Sequence, residues 1–426
     1  MAAINRTALF RASCLSLLVT SLSFGIRAGI LNDLGTNFHL DATQLGAITA
    51  TAFWGFPLAV VIGGIIVDII GMKRLLVMAF LFHLLGILLT IFAGGFWTLF
   101  ISTLTIGIAN GTVEAACNPL VTTLYPESKT TKLNHFHLWF PGGIFIGTLI
   151  VLLFTKLGLG WQIQVGTMLI PTFIYGYLFF RLDFPVTERV SSGVSMAGMY
   201  KALASPLFIF MFICMCGTAI SELYTEQWVP VLLKSIGNPI LIVTATSGIM
   251  VLGRGMAKPV LQRIAPQGVL LMSATIAAIG LYLLYTGTGN VFVDAIVFGI
   301  GVCYFWPTML GFVNENLPKT GALGLNLMGG AGMLAVSFYT IYMGHYIDNE
   351  VAGKLPSGST LNDAVKAAAG SSLETSYNQA KTVAGIDVLH ITSFIPIGLI
   401  VAFIGLVIYM RSRGKTAPLS AAAAAH

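Results

Sequence analysis

Apolar residues run through this chain in long blocks with few charges among them, and polar residues gather in short breaks between the blocks. A helix needs about 17–25 mainly apolar residues to cross a bilayer. Twelve segments meet that length, at 8–31, 41–67, 74–95, 97–125, 132–155, 161–181, 206–232, 238–262, 268–287, 291–316, 321–346 and 390–410. The pattern predicts an all-α membrane protein of twelve transmembrane helices in two six-helix bundles. The first segment is too long for a cleaved signal peptide, and no small-residue cleavage site follows it before the next segment.

The breaks divide the chain into an N-terminal bundle at 1–181, a central linker at 182–205 and a C-terminal bundle at 206–416. A long loop near 347–389, rich in Ala, Ser, Gly and Thr, is expected to face outward with a short helix near Leu361–Ala369. Residues 417–426 form a tail, and its last six, Ala421–His426, read as an appended sequence.

An even number of spans puts both termini on one side. Of the 22 lysines and arginines, 16 then fall on that side, from Arg6 through Arg254 to Lys415. Five lie opposite, and Arg27 alone stays within the membrane. Positive charge collects on the cytoplasmic side of membrane proteins, so both termini are expected in the cytoplasm, at a bacterial inner membrane. The net charge of +6 thus reports topology and gives no reason to invoke nucleic acid.

Composition agrees: 56% of residues are hydrophobic and 9% charged, against about 25% charged in soluble domains. All five cysteines fall inside predicted spans, where they read as small packing residues, and no disulfide or metal framework is implied. The phosphate-binding pattern Gly-x-x-x-x-Gly-Lys-Ser/Thr is absent, as are a nucleophile elbow and a zinc-binding His-Glu-x-x-His. Convergent catalytic groups are not visible, so an enzyme is not expected and no cofactor is implied.

Among so few charges, an acid inside a span stands out. Glu114 lies in the fourth span within Gly111-Thr-Val-Glu-Ala-Ala-Cys-Asn-Pro119. Placing a charge at a helix centre costs about 2.5–3.5 kcal/mol on insertion scales, so such residues are functional candidates. A buried structural acid is the bland alternative.

Shifting the chain by 192 residues superposes Gly25 on Gly217, Gly107 on Gly299, Pro126 on Pro318, Leu133 on Leu325 and Asn134 on Asn326. A six-plus-six duplication is the repeat pattern of secondary transporters whose site lies between the halves.

Between spans two and three the chain reads Gly64-Ile-Ile-Val-Asp68-Ile-Ile-Gly71-Met-Lys73-Arg74. This resembles the loop signature of the major facilitator superfamily. Asp68 ends one helix, Gly71 supplies the turn and Lys73 and Arg74 open the next helix. The resemblance implies a conformational latch made by Gly64, Asp68, Gly71, Lys73 and Arg74. The matching loop of the second half, Gly253-Arg-Gly-Met-Ala-Lys258, lacks the acid, so the latch is expected to be asymmetric.

The run from Glu114 through Asn118-Pro119 to Pro126-Glu127-Ser128 and Leu133-Asn134 resembles the fourth and fifth helices of the fucose:proton symporter family. That resemblance implies H+ as coupling ion, Glu114 as the proton-binding group and Asn118 as a polar neighbour at the cavity. Two departures weaken hexose as the substrate. The family's acid in helix one aligns with Ala28, beside Arg27, and amides of helix five are replaced by His137 and Phe140.

Arg27 needs a partner, because a guanidinium stays charged when buried. Glu114 is one candidate. Glu222 on the seventh span is another, since position 27 maps to 219. Substrate or water is the third.

On the tenth span, Tyr304 and Trp306 fall in Val302-Cys-Tyr-Phe-Trp-Pro307, and Trp306 holds the repeat position of Glu114. An indole opposite a carboxylate suits the C–H face of a sugar, with packing as the alternative. Trp228 reads the same way. His137 reads either as a packed neutral histidine or as a substrate contact, and His83 as a packing residue. Asn314, Glu315 and Asn326 read as gate or loop groups.

These readings converge on a monomeric transporter that moves a small polar solute, a sugar, coupled to protons through Glu114. Its substrate contacts would be Arg27, Glu114, Asn118, His137, Glu222, Trp228, Tyr304 and Trp306. The alternative is an organic-anion transporter with Arg27 as the anion site. The remote alternatives are a ligand sensor that moves nothing and a membrane enzyme.

Overall fold

The computed structural model describes residues 4–40, 42–225, 239–287, 289–365, 367–368 and 370–413. Trp228 lies outside them, as do Glu226 and the tail at 417–426.

The first half contains α1 (Arg6–Phe38), α2 (Ala42–Ile70), α3 (Met72–Ile91), α4 (Phe96–Leu124), α5 (Lys129–His137), α6 (Trp139–Lys156), α7 (Trp161–Gly166) and α8 (Leu169–Arg181). Helices α5 and α6 together make the fifth span, and α7 and α8 the sixth. Two short helices, α9 (Glu188–Ser191) and α10 (Met196–Leu203), cross the linker. The second half follows with α11 (Pro206–Ala219), a π-turn at Ile220–Tyr224, α12 (Pro239–Gly255), α13 (Ala257–Arg263) and α14 (Pro266–Thr286). It ends with α15 (Val291–Val302) and α16 (Phe305–Asn316), which share the tenth span, then α17 (Gly321–Lys354), α18 (Leu361–Val365) and α19 (Ser372–Arg413).

Among the described residues, 11 helical stretches are long and apolar enough to cross a membrane, and a shorter apolar one runs over Leu241–Gly255. The surface is apolar, and the interior adds buried polar groups to an apolar core of residues such as Leu17, Phe136 and Phe305. Leu58, Ile69, Ile213 and Val401 are exposed, whereas Ser13, Ser16, Ser21, Asn110 and Thr172 are fully buried. Lipid exerts no hydrophobic drive between helices, so small residues and interhelical hydrogen bonds supply the association.

Glycine spacing sets the closest approaches. A Cβ at Gly107 would lie 2.8 Å from the Ala52 carbonyl oxygen, and one at Gly299 would lie 2.6 Å from Ile249 Cγ2. The repeat-related glycines thus press helix four on helix two and helix ten on helix eight. Further matched pairs touch in both halves: one with five and seven with eleven, three with four and nine with ten.

The expected loop at 347–389 is largely helical. Helix α17 continues to Lys354 and α19 begins at Ser372, and the described residues of the break between them include the short α18. Alanine, glutamate, glutamine and lysine are strong helix formers. They carry these helices past the apolar stretch that marks their membrane part, where hydropathy alone reads a loop.

Candidate functional site

Helix four is buried along one continuous run from Ala109 to Thr122, which places Glu114 and Asn118 one turn apart on the same face. Asn118 Nδ2 donates to Glu114 Oε2 at 2.6 Å, and Asn118 Oδ1 lies 2.9 Å from His137 Nε2. The other imidazole nitrogen, His137 Nδ1, is 3.7 Å from Glu114 Oε1. All three side chains are buried. Four and five thus present one closed ring of polar atoms.

The matching of donors and acceptors in this ring depends on which way the Asn118 amide is turned. With the Asn118 amide donating to Glu114, its oxygen must accept from His137 Nε2–H, so a neutral imidazole turns a bare Nδ1 toward Glu114 Oε1. With the amide turned over, its oxygen faces Glu114 Oε2 and the proton is needed there instead. In the second arrangement an added proton would bridge Glu114 Oε2 and the Asn118 oxygen; in the first it would face Glu114 Oε1 across 3.7 Å, a charge contact longer than a hydrogen bond.

The second half meets this ring through Arg254. Its Nη1 donates to the His137 carbonyl oxygen at 2.7 Å, its Nε to the Cys303 carbonyl oxygen at 2.6 Å and its Nη2 to Glu222 Oε1 at 2.6 Å. Arg254 and Glu222 are both almost wholly buried. A guanidinium donates in a fixed planar fork, so one side chain ties helices five, seven, eight and ten together.

Sequence reasoning missed Arg254, counting it with the basic residues at the membrane surface. It stands between two glycines and four residues before Lys258, which imitates a loop. The signal available was its counterpart: an acid inside helix seven needs a base at similar depth.

Arg27 pairs with neither expected acid. Glu222 is held by Arg254, and Glu114 by Asn118 and His137. Arg27 instead lines a cavity inside the first half with Ser23, Ile30, Ile48, Thr103 and Met168. Helix one turns it away from the ring because Phe24, on the adjoining face, packs against Phe53 of helix two and Phe140 of helix five.

Trp306 is buried against helix eleven, where a Cβ at Gly332 would lie 2.9 Å from its ring. The Tyr304 hydroxyl donates to the Gly253 carbonyl oxygen at 2.5 Å, locking the residue before Arg254. His83 bridges Tyr175 Oη and Asn110 Oδ1, each at 2.8 Å, inside the first half.

At the end of the bundle that carries the Asp68 loop, polar contacts join the halves and the linker. Asp68 accepts from Arg189 Nε at 2.5 Å and from the Thr187 hydroxyl. Gly71, with φ at +86°, makes the turn, and Lys73 Nζ donates to the Leu182 carbonyl oxygen at 2.9 Å. Arg74 is exposed. A Cβ at Gly64 would lie 2.6 Å from Asn326 Cβ, so glycine admits helix eleven there. Glu315 accepts from the Thr130 amide at 3.0 Å and from its hydroxyl at 2.5 Å.

This arrangement of twelve spans in two matched halves, with a polar seam between them, is matched by the family model described as Major Facilitator Superfamily over residues 13–341. The chain belongs to the Major Facilitator Superfamily. It is therefore an integral, multi-pass membrane protein and a transporter by family, outside the enzymes.

Two solved superfamily structures share the fold. The E. coli fucose:proton symporter FucP superposes with a TM-score of 0.69 at 15% identity, covering 96% of this chain and 98% of that one. The proton:xylose symporter XylE, bound to 6-bromo-6-deoxy-D-glucose, gives 0.70 at 13% identity, covering 89% and 94%. At such identities the likeness is one of fold. In sequence, the chain is 27% identical over 161 residues to the solute carrier family 2 facilitated glucose transporter member 10 of Xenopus laevis. That stretch is 38% of this chain and 29% of the relative, so the chain spans less than a third of that protein's length.

Proposed function

We propose that this superfamily member is a proton-coupled secondary transporter of a small polar solute, a sugar, working by alternating access between its two halves. The observation that carries the reading is the Glu114–Asn118–His137 ring, which takes one proton at a buried position beside the seam. Protonation neutralises the ring, and a neutral ring is cheaper to carry through a closed, dehydrated state than a charged one. Arg254, joined to the same histidine's backbone and to Glu222, relates that charge state to the packing of the second half.

Sugar as the solute class is supported by the relatives named for glucose, xylose and fucose. It is also supported by Trp306 at the repeat position of Glu114, where an indole can stack on a sugar's C–H face. In this reading Asn118, His137, Glu222 and Tyr304 contribute hydroxyl-binding groups once the seam opens. The protein works as a monomer in a bacterial inner membrane, with both termini in the cytoplasm and no cofactor beyond H+.

Thermal stability of the purified protein against pentoses, hexoses and organic anions tests the solute class. Saturable stabilisation by one or more sugars is expected. Stabilisation by anions that no sugar matches would overturn it. Uptake into proteoliposomes under an imposed pH gradient then tests coupling, since accumulation indifferent to the gradient would remove the proton from the mechanism.

A further inference from the structure

Of the five residues in the Asp68 loop signature, Arg74 is the one that no contact described above uses. It is exposed in the first turn of helix three, while Lys73 beside it reaches the Leu182 carbonyl oxygen at 2.9 Å. That bond sets the start of helix three against the end of helix six, where Arg181 is exposed. An arginine thus adjoins the contact on either side.

Each arginine also ends a stripe of exposed apolar side chains. On helix three, Met78, Leu81 and Leu85 follow Arg74 at steps of four, three and four residues. On helix six, Ile170, Ile174 and Tyr177 lead to Arg181 at the same steps. This is the spacing of one helix face, and on both helices that face is turned outward. Phe80 of helix three packs edge-on against Phe173 and Phe180 of helix six, with ring centroids 6.3 and 5.8 Å apart, so the two stripes run side by side. The Arg181 guanidinium carbon lies 5.7 Å from the Tyr177 ring centroid, which holds that charge at the foot of its stripe.

Neither arginine enters an ion pair among the described residues. Of the acids near them in sequence, Asp68 is held by Arg189, and Asp183 is exposed two residues past Arg181. Lys73, Arg74 and Arg181 against Asp183 leave an excess of positive charge at this corner. The second half has no equivalent, because the repeat position of Arg74 is Pro266.

The ligand that matches has a phosphate for the guanidinium groups and hydrocarbon for the stripes. Eleven residues of helix rise about 17 Å, roughly half of a hydrocarbon core about 30 Å thick, so each stripe is as long as one leaflet's acyl layer. A free phosphate would leave the stripes uncovered, and a zwitterionic lipid would bring its own cation to the arginines. Basic clusters at a membrane surface attract anionic headgroups. We infer that the corner between helices three and six is a binding site for one anionic phospholipid, its phosphate between Arg74 and Arg181 and its acyl chains along the two stripes. The site is separate from the Glu114–Arg254 seam and independent of the sugar reading.

Thermal stability of the purified full chain in detergent micelles, titrated with dioleoylphosphatidylglycerol, dioleoylphosphatidylcholine or soluble glycerol 3-phosphate, tests this. Saturable stabilisation by phosphatidylglycerol alone is expected, and native mass spectrometry of the same samples should count one such lipid retained per chain. Arg74→Gln and Arg181→Gln change exposed side chains, and each should weaken the apparent affinity about fivefold, the double variant more. Arg263→Gln, at an exposed arginine before helix nine, should leave it unchanged.

Equal stabilisation by phosphatidylcholine would remove charge from the recognition, and glycerol 3-phosphate binding as tightly as the lipid would remove the acyl chains. Undiminished affinity in the double variant would place the lipid elsewhere. A loss in Arg263→Gln as large as in Arg74→Gln would reduce the effect to diffuse surface charge. Each of these refutes the inference.

Discussion

Asn134 and Asn326 stand 192 residues apart and reach across the seam in opposite directions. Asn134 Nδ2 donates to Thr308 Oγ1 of helix ten at 3.3 Å, and Asn326 Nδ2 donates to the Ala115 carbonyl oxygen of helix four at 3.0 Å. Positions 115 and 308 are themselves repeat partners to within one residue. The duplicated asparagine is thus a pair of reciprocal fasteners at the Asp68 end of the molecule.

Asn326→Ala should loosen that end without unfolding either half. A net hydrogen bond is worth about 1 kcal/mol, so the closed population should fall about fivefold relative to the open one. Distances between spin labels placed on the two halves at that end should lengthen or broaden. Unchanged distributions would make the contact incidental.

Glu114→Gln should abolish accumulation driven by a pH gradient and leave solute exchange in place, because the amide mimics the protonated acid and keeps the carrier able to reorient when loaded. Counterflow and gradient-driven uptake in the same proteoliposomes separate the two. Gradient-driven accumulation at the wild-type level would end the coupling role.

Arg254→Gln removes the guanidinium that donates to Glu222, and breaking a buried pair on one side costs about 3–5 kcal/mol. The double variant with Glu222→Gln should recover part of that loss. A double-mutant cycle on thermal stability should show coupling well above about 0.5 kcal/mol. Additive effects would mean that the two groups do not act as a pair.

Asp68→Asn removes the charge facing Arg189, so thiol labelling of cysteines introduced at that end of the seam should quicken. Arg189→Gln should have a similar effect, with little added in the double variant. Arg74→Gln, at an exposed side chain, should leave labelling nearly unchanged. Faster labelling in Arg74→Gln than in Asp68→Asn would reassign the latch.

Hydropathy makes the spans legible because lipid demands long apolar helices, and the 192-residue register makes the two halves legible because close helix approaches require glycine at Gly107 and Gly299. The neighbourhood of Glu114 was also readable, since Asn118 follows it by one helical turn. The partners of Arg27 and Glu222 were not. Depth along a helix can be counted from sequence, but the face a side chain takes depends on packing, as with Phe24 beside Arg27. Arg254 was hidden by its glycines, and the helical extensions beyond 346 and before 390 carry too many polar residues to register as membrane helix.

Glu222 sits in the middle of the π-turn at Ile220–Tyr224. A π-turn is one surplus residue held within an α-helical ladder. Passing that surplus one position along the helix swings the residue it passes by about 100°, so Glu222 can leave Arg254 without the helix unwinding. Faster amide hydrogen exchange at 220–225 in Arg254→Gln would register that freedom, and unaltered exchange would count against it. Helix seven thus carries its slack at the point where the charge is caught, like the escapement of a clock, and a step of one residue there is all that release of the pair would need.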